Sequence, residues 1–342
     1  MERFFRQAQA TYLRSPQDFL AHRLRYYSDM TPWSLSALST TILTTSSMTS
    51  AQRQQRVNVI ERLACTRAEL MIVTATKNRV KCLAEIYATL VAQQACPDWL
   101  WLIIDNGSCD GTMDFLTALG DTRLLAVSYT ERTGCAFPVR NLGLDLLMLG
   151  LRKNHRANQW ILVLDSDDRL HNAYSLHDVA SMRRAWSGRR LGQVLLHGFA
   201  VCEYEDEQGM VTYGTHPHHI AASFPHIGAL AEIFDKGLNI LAGVFPVEVL
   251  NWLRYPEEFS FEDNGLNHKL LLQARRTKRT WLATPYPITV KRFNTRTMAA
   301  QNNALGDQHA SATIGEHEVT GIRAQIVTAL HSLTDYFQRE AL

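Results

Sequence analysis

The chain has 342 residues, 46% of them hydrophobic and 20% charged, an ordinary globular composition with enough apolar material for a large core. A formal net charge of +2 supplies no global basic field for nucleic acid or an anionic membrane. Six scattered cysteines without a CxxC pair read as reduced thiols. With no signal-peptide core and no run near the roughly 20 apolar residues that span a bilayer, the expectation is a soluble, cytoplasmic protein. Peripheral contact at the inner face of a membrane is left open.

Residues 1–28 place Phe4, Phe5, Ala8, Tyr12, Phe19, Leu20 and Leu24 at roughly helical spacing. From Thr31 to Ser50 there is no charged residue, and Ser and Thr are dense. That stretch reads as a linker or as a helix around residues 35–43. Residues 51–64 read as another helix. Together they suggest a helical N-terminal appendage over residues 1–66.

The pattern then alternates. Strands are expected over residues 70–75, 99–104, 124–129 and 160–164, with helices over 80–94, 112–119 and 137–151. Leu83, Ile86, Tyr87 and Leu90 share one face of the first of these helices. Strand–helix alternation at this spacing implies a parallel sheet covered on both faces, with ligands beyond the carboxyl ends of its strands. Residues 193–204 and 210–213 suggest a hairpin turning at Glu205-Asp-Glu-Gln-Gly209. Val319, Ile322, Ile326, Leu330, Leu333 and Phe337 form a C-terminal amphipathic helix pattern. Trp99, Trp101, Trp160 and Trp281 lie in or beside strands and are expected in the core, as is Trp252.

The residues with chemistry fall at the strand ends. Trp160-Ile-Leu-Val-Leu-Asp165-Ser-Asp167-Asp168 runs from a buried strand into three carboxylates. Like charges that close cannot all stay ionised cheaply. A hard divalent ion removes that cost, and magnesium uses one or two carboxylates plus substrate phosphates. Thr74-Ala-Thr76-Lys-Asn78-Arg79 sets a hydroxyl, an amide and two cations at a helix start, which suits either an anion or a simple cap by Asn78 or Thr76. In Asp105-Asn106-Gly-Ser-Cys-Asp110-Gly-Thr112, Asp105 can accept from a base NH or ribose hydroxyls. Gly107 and Gly111 permit a tight turn, and Asp110 or Thr112 can cap the next helix. His216, His218, His219 and His226 cluster without convincing metal-ligand spacing and read as exposed loop histidines.

Taken in order, Thr74–Arg79, the Asp105–Thr112 loop, Gly134 before Arg140-Asn141-Leu-Gly143, and Asp165-Ser-Asp-Asp168 resemble the family 2 glycosyltransferases with a GT-A fold. The resemblance covers about residues 69–300. It implies a Rossmann-like, mostly parallel sheet flanked by helices, with residues 67–170 as a nucleotide-binding half and 171–300 as an acceptor half; residues 1–66 and 301–342, the latter read as a helical tail from its amphipathic pattern, lie outside the resemblance.

By that resemblance the donor is a nucleoside-diphosphate sugar, and the acceptor a saccharide, lipid-linked or protein hydroxyl. Thr76, Arg79, Asp105 and Asn106 would line the nucleotide pocket, with Asn106 arguing against a fixed uracil. Arg140 would approach the phosphates and Asn141 fix its helix start. Asp165 would approach the sugar or ribose, while Asp167 and Asp168 form a DxD-type site for Mn2+ or Mg2+. Asp263 would be the general base of an inverting displacement, supported by Glu262. Arg292 and Arg296, in a basic run after Pro287, would close over the pyrophosphate or form a surface loop. A nucleotidyltransferase and a non-catalytic sugar-nucleotide-binding subunit are the alternatives, and the N-terminal appendage could serve a homo-oligomer or docking to a partner or membrane-bound acceptor.

Overall fold

The computed structural model describes residues 34–44, 48–129, 136–151, 159–185, 194–206, 208–215, 244–255 and 280–293, together with Asp29, Pro32, Leu266 and Lys269. The expected helices over 1–28 and 319–337, the histidine cluster and Glu262, Asp263 and Arg296 lie outside the described residues.

In chain order the elements are α1 (Leu35–Thr44), α2 (Ser50–Cys65), β1 (Leu70–Thr76), α3 (Val80–Val91), β2 (Trp99–Asp105), α4 (Thr112–Ala118), β3 (Leu124–Ser128) and α5 (Phe137–Leu151). Next come β4 (Trp160–Val163), β5 (Arg169–Leu170), α6 (Ser175–Ala185), β6 (Val194–Glu205), β7 (Val211–Thr215) and β8 (Val244–Pro246). A 3-10 turn (Val247–Asn251) and β9 (Thr280–Phe293) complete them. The strands form one mixed sheet in the order β3-β2-β1-β4-β8-β6-β9-β5, with β7 paired to β6. The four strands β3, β2, β1 and β4 are parallel to one another, β8 is antiparallel to β4 and β6, and β6 and β9 pair in parallel.

The continuous apolar runs of β1 and β2 follow from burial on both faces. Alternate side chains serve two different cores, as period two requires. Met71, Val73, Leu100, Leu102 and Ile104 pack with α1, α2 and α5. Leu70, Ile72, Trp99, Trp101 and Ile103 pack with α3, α4 and α6. Each fully buried side chain of this kind stabilises by about 1.5–3 kcal/mol. Trp99, Trp101 and Trp160 are buried as expected, and Trp252 packs partly buried against the first core.

Helices α1 and α2, within the segment read as an appendage, share the sheet's core: Leu38, Ile42, Val59 and Leu63 are buried there. Thr49 and Gln52 form a reciprocal capping box that starts α2. Gln55 and Arg62 then bond the backbone of β3, the outermost strand on that side. Glycines let α5 come close on both sides. A Cβ on Gly150 would lie 2.3 Å from Leu63 Cβ, and one on Gly143 would lie 2.8 Å from Val73 Cγ1.

From β1 the chain winds outward through β2 to β3, then crosses back to place β4 on the other side of β1. That reversal opens a crevice at the carboxyl ends of β1 and β4. Among the described residues, no helix is long and apolar enough to cross a membrane.

Candidate functional site

The loops after β1 and β2 are stitched together over that crevice. Asn78 adopts a left-handed φ of 52°. Its backbone N–H donates to Ser108 Oγ at 2.8 Å, and its side-chain oxygen accepts from the Cys109 N–H at 2.8 Å. Neither Asn78 nor Thr76 caps α3. The Val80 N–H at the start of that helix donates instead to Asp110 Oδ2 at 3.0 Å. Asp110 also accepts from the Thr112 N–H and hydroxyl, so one carboxylate serves the first turns of both α3 and α4. Burial works against the Asp110 charge, but these donors outweigh it and hold its pKa below the ordinary value. Gly107 and Gly111 take positive φ of 72° and 84°, as the tight turn requires.

Asp105, at the tip of β2, is buried and accepts from both the backbone N–H and the hydroxyl of Ser108. Asn106 is buried beside it. Thr76, opposite Asp105 in the β1–β2 register, is buried with its hydroxyl unpartnered among the described residues. An orphaned hydroxyl of this kind is costly unless something bonds it.

The carboxylates past β4 occupy unequal environments. Arg140, in the first turn of α5, donates to Asp165 Oδ1 at 2.6 Å. Its guanidinium also stands 5.2 Å from the centre of the Tyr255 ring. Asn141 holds that tyrosine through reciprocal bonds with its backbone, at 2.7 and 3.1 Å, rather than fixing its own helix start. Burial opposes the charge on Asp165, but Arg140 and Lys291 outweigh it and keep its pKa low.

Asp167 and Asp168 go the other way. Burial and the neighbouring Asp165 raise Asp167, against the pull of Arg79 and Lys291. Burial raises Asp168 well above the ordinary value; Lys291 opposes this, and both other carboxylates add to it. The Arg292 backbone N–H approaches Asp168 Oδ1 at 3.4 Å. Two carboxylates whose charge is held at a cost form a hard-oxygen donor pair suited to Mg2+ or Mn2+. Among the described residues, no three His, Cys, Asp or Glu side chains converge into an all-protein metal cage.

Arg292 departs from its expected place. It belongs to β9 rather than to a loop, and its guanidinium is held by Glu203 on β6 at 3.2 Å and by Glu85 on α3. Glu203 also pairs with Arg169 at 2.6 Å. Burial opposes its charge, but the two arginines prevail and hold its pKa low. Arg292 therefore braces β9 against α3 and β6. Its neighbour Lys291 is the cation felt by all three carboxylates. Lys291 lay in the basic run of the sequence, and strand alternation was the signal that separates it from Arg292. Tyr255 and Glu203 carried no local sequence signal, since their partners are distant in the chain.

No family model and no curated protein matches the chain. Among solved structures, S. aureus TarS 1-349 is similar with a TM-score of 0.48 at 17% identity, covering 77% of this chain and 72% of that one. The mannosyltransferase PcManGT from Pyrobaculum calidifontis, in complex with GDP-Man and Mn2+, gives a TM-score of 0.47 at 14% identity, covering 88% and 85%.

Proposed function

We propose that the protein is a glycosyltransferase of the GT-A type that moves a sugar from a nucleoside-diphosphate donor to an acceptor hydroxyl. One observation carries the reading: among the described residues Thr76, Arg79, Asp105, Arg140 and the Asp165–Asp168 carboxylates gather at the carboxyl ends of β1, β2 and β4, with Asp165 neutralised by Arg140 and the Asp167–Asp168 pair left at a charge cost. The stitched Asn78 and Ser108 loops give that crevice a preformed wall.

In this reading Thr76, Arg79, Asp105 and Asn106 receive the nucleoside, and the Thr76 hydroxyl finds its partner there. Arg140 fixes Asp165 toward the ribose or sugar. Arg292, held by Glu203 and Glu85, keeps Lys291 beside the phosphates, and Arg296 follows on the same segment. A divalent cation on Asp167 and Asp168 would neutralise charge developing on the leaving diphosphate. Asp263, supported by Glu262, takes the acceptor proton as the hydroxyl attacks the anomeric carbon opposite the diphosphate, inverting that centre. Cys65, Cys82, Cys96 and Cys109 are free thiols, which is in keeping with a reducing cytoplasm.

The test is a thermal-shift panel of UDP-, GDP-, dTDP- and CDP-sugars with and without Mn2+. A donor at about 100 times its dissociation constant stabilises by roughly 2.7 kcal/mol. One nucleotide sugar is expected to raise the midpoint in a chelator-sensitive way, and Asp167→Asn to abolish that response. No shift with any donor would sink the reading; a shift indifferent to chelation would remove the metal from it. Asp263→Asn is expected to retain the donor shift and lose transfer.

A further inference from the structure

The segment after the 3-10 turn is clasped to α5 by polar groups along one side of that helix. Asn141 and Asp145 lie one turn apart and so share a face. Asn141 takes the Tyr255 backbone at both its N–H and its carbonyl oxygen, at 2.7 and 3.1 Å. Asp145 accepts from Arg254 Nε, and Met148, further along α5, accepts from Arg254 Nη2 at 3.2 Å. Arg254 Nη1 turns back on its own segment and donates to the carbonyl oxygens of Leu250, at 2.7 Å, and Leu253. One buried guanidinium thus ties residues 250–254 to themselves and to the helix.

The Asp145–Arg254 pair is held at a cost. Burial pushes the Arg254 pKa down and the Asp145 pKa up, each against the pull of its partner. A buried ion pair is often no more stabilising than apolar groups of the same size, and its best-attested use is to fix register. Apolar packing of Leu250 and Leu253 is less selective. The two clasps fix which residue comes opposite the first turn of α5, and that residue is Tyr255. It is 4% exposed, and the centre of its ring is 5.2 Å from Arg140 Cζ, within cation–π range. The same guanidinium donates to Asp165 at 2.6 Å. A guanidinium held by one carboxylate oxygen can pivot about that bond; a ring face against it removes the freedom.

We propose that Tyr255 is a positioning residue: held in register by the Asn141 and Asp145–Arg254 clasps, it seats the Arg140 guanidinium against Asp165 and through it sets donor affinity. The seat rests on the geometry alone, and the effect on donor rests on the transferase reading.

The experiment uses the full chain and two double-mutant cycles of Tyr255→Leu with Arg140→Gln. The first needs no donor. In urea unfolding, the loss of folding equilibrium constant caused by Tyr255→Leu should be about tenfold smaller once Arg140 is replaced. Independent losses overturn the inference. The second cycle reads dissociation constants for UDP-, GDP-, dTDP- and CDP-sugars with Mn2+. Tyr255→Leu should weaken the donor that wild type binds about tenfold, with no further effect in Arg140→Gln. Tyr255→Phe, which keeps the ring, should restore the affinity. Leu90→Ala, in the core on the other face of the sheet, should lose stability and keep donor affinity. The double variant Asp145→Leu with Arg254→Met replaces the clasp by apolar groups. It should be as stable as wild type and bind donor less tightly. Wild-type donor affinity in Tyr255→Leu or in that double variant, or a loss that Tyr255→Phe does not recover, overturns the inference and leaves the transferase reading standing. An equal loss in Leu90→Ala overturns it in favour of general loosening. Coupling in urea with no donor bound by wild type upholds the seat and rejects the transferase reading.

Discussion

Arg140 donates to Asp165 across 2.6 Å, joining the first turn of α5 to the residue just beyond the Leu164 that ends β4's apolar run. The arginine side chain is 10% exposed and the aspartate 27%. Breaking a fully buried pair costs about 3–5 kcal/mol, because it strands the surviving charge. Asp165 keeps some solvent, so Arg140→Gln is expected to cost about 2 kcal/mol in urea unfolding at pH 7. Arg140→Lys restores a cation but not the planar fork over Tyr255. It should recover part of the stability and little of the donor-induced thermal shift. Wild-type stability in Arg140→Gln would mean that Asp165 needs no partner.

Asp168 gives the opposite sign. Its carboxylate is buried beside Asp165 and Asp167, and their charges disfavour its own. In chelated buffer at pH 7, Asp168→Asn should stabilise the protein by relieving that repulsion. A rise of roughly 2–4 °C in the melting midpoint corresponds to about 1 kcal/mol in a large domain. Added Mn2+ should raise the wild-type midpoint and leave Asp168→Asn unmoved. A less stable Asp168→Asn without metal would show that the Arg292 N–H and Lys291 already satisfy this carboxylate.

How far these features were legible in the sequence depends on the range of the interaction. The apolar runs of β1, β2 and β4 and the stripe of Leu83, Ile86 and Leu90 follow from local periodicity, so the elements fall where the pattern puts them. The capping box of Thr49 and Gln52 is equally local. The cap of α3 is not: Val80 takes its acceptor from Asp110, thirty residues on, whereas a local reading looks to Asn78. Arg292 shows the same limit. Its position in a basic run suggested a phosphate-covering or surface loop, but the parallel β6–β9 pairing brings Glu203 to its guanidinium and α3 supplies Glu85. Non-local strand pairing leaves no period in a linear sequence.

Lys269 supplies a pH test away from the crevice. It is 4% exposed. Burial lowers its pKa from 10.5 to about 8, with Asp29 opposing the shift and Arg254 adding to it. Below pH 8 both folded and unfolded chains hold the proton, and the folded state bears the cost of a buried ammonium. Between about 8 and 10.5 the folded state has released a proton that the unfolded chain retains, so stability climbs with pH through that window. Lys269→Met should be about 2–3 kcal/mol more stable than wild type at pH 7, and the gap should close by pH 10.5. Urea midpoints at the two values measure it. A gap that is constant with pH would assign the effect to packing.

The last outcome concerns how closely α5 can approach its neighbours. At Gly150 an added Cβ would meet Leu63 Cβ at 2.3 Å and the Ile60 carbonyl oxygen at 3.0 Å. The oxygen is backbone and the Leu63 Cβ is fixed to it, so α2 and α5 must separate. Overpacking of this kind costs about 1–3 kcal/mol. Replacing this glycine, the penultimate residue of α5, returns at most about 1 kcal/mol of helix propensity. The net for Gly150→Ala is a loss of up to about 2 kcal/mol, all of it in stability. At Gly143 the Cβ would meet Val73 Cγ1 at 2.8 Å and Ile104 Cγ1 at 3.3 Å, side-chain carbons of β1 and β2 rather than backbone, and at a longer distance than the Leu63 clash. Gly143→Ala should therefore cost less stability, but it lies one turn from Arg140 and tilts the helix that aims it. The expected signature is a weaker donor-induced shift in Gly143→Ala and an undiminished one in Gly150→Ala, read in the same thermal-shift assay. Equal donor responses in the two variants would show that Arg140 is aimed by its bond to Asp165 alone, without help from the seating of α5 on the sheet.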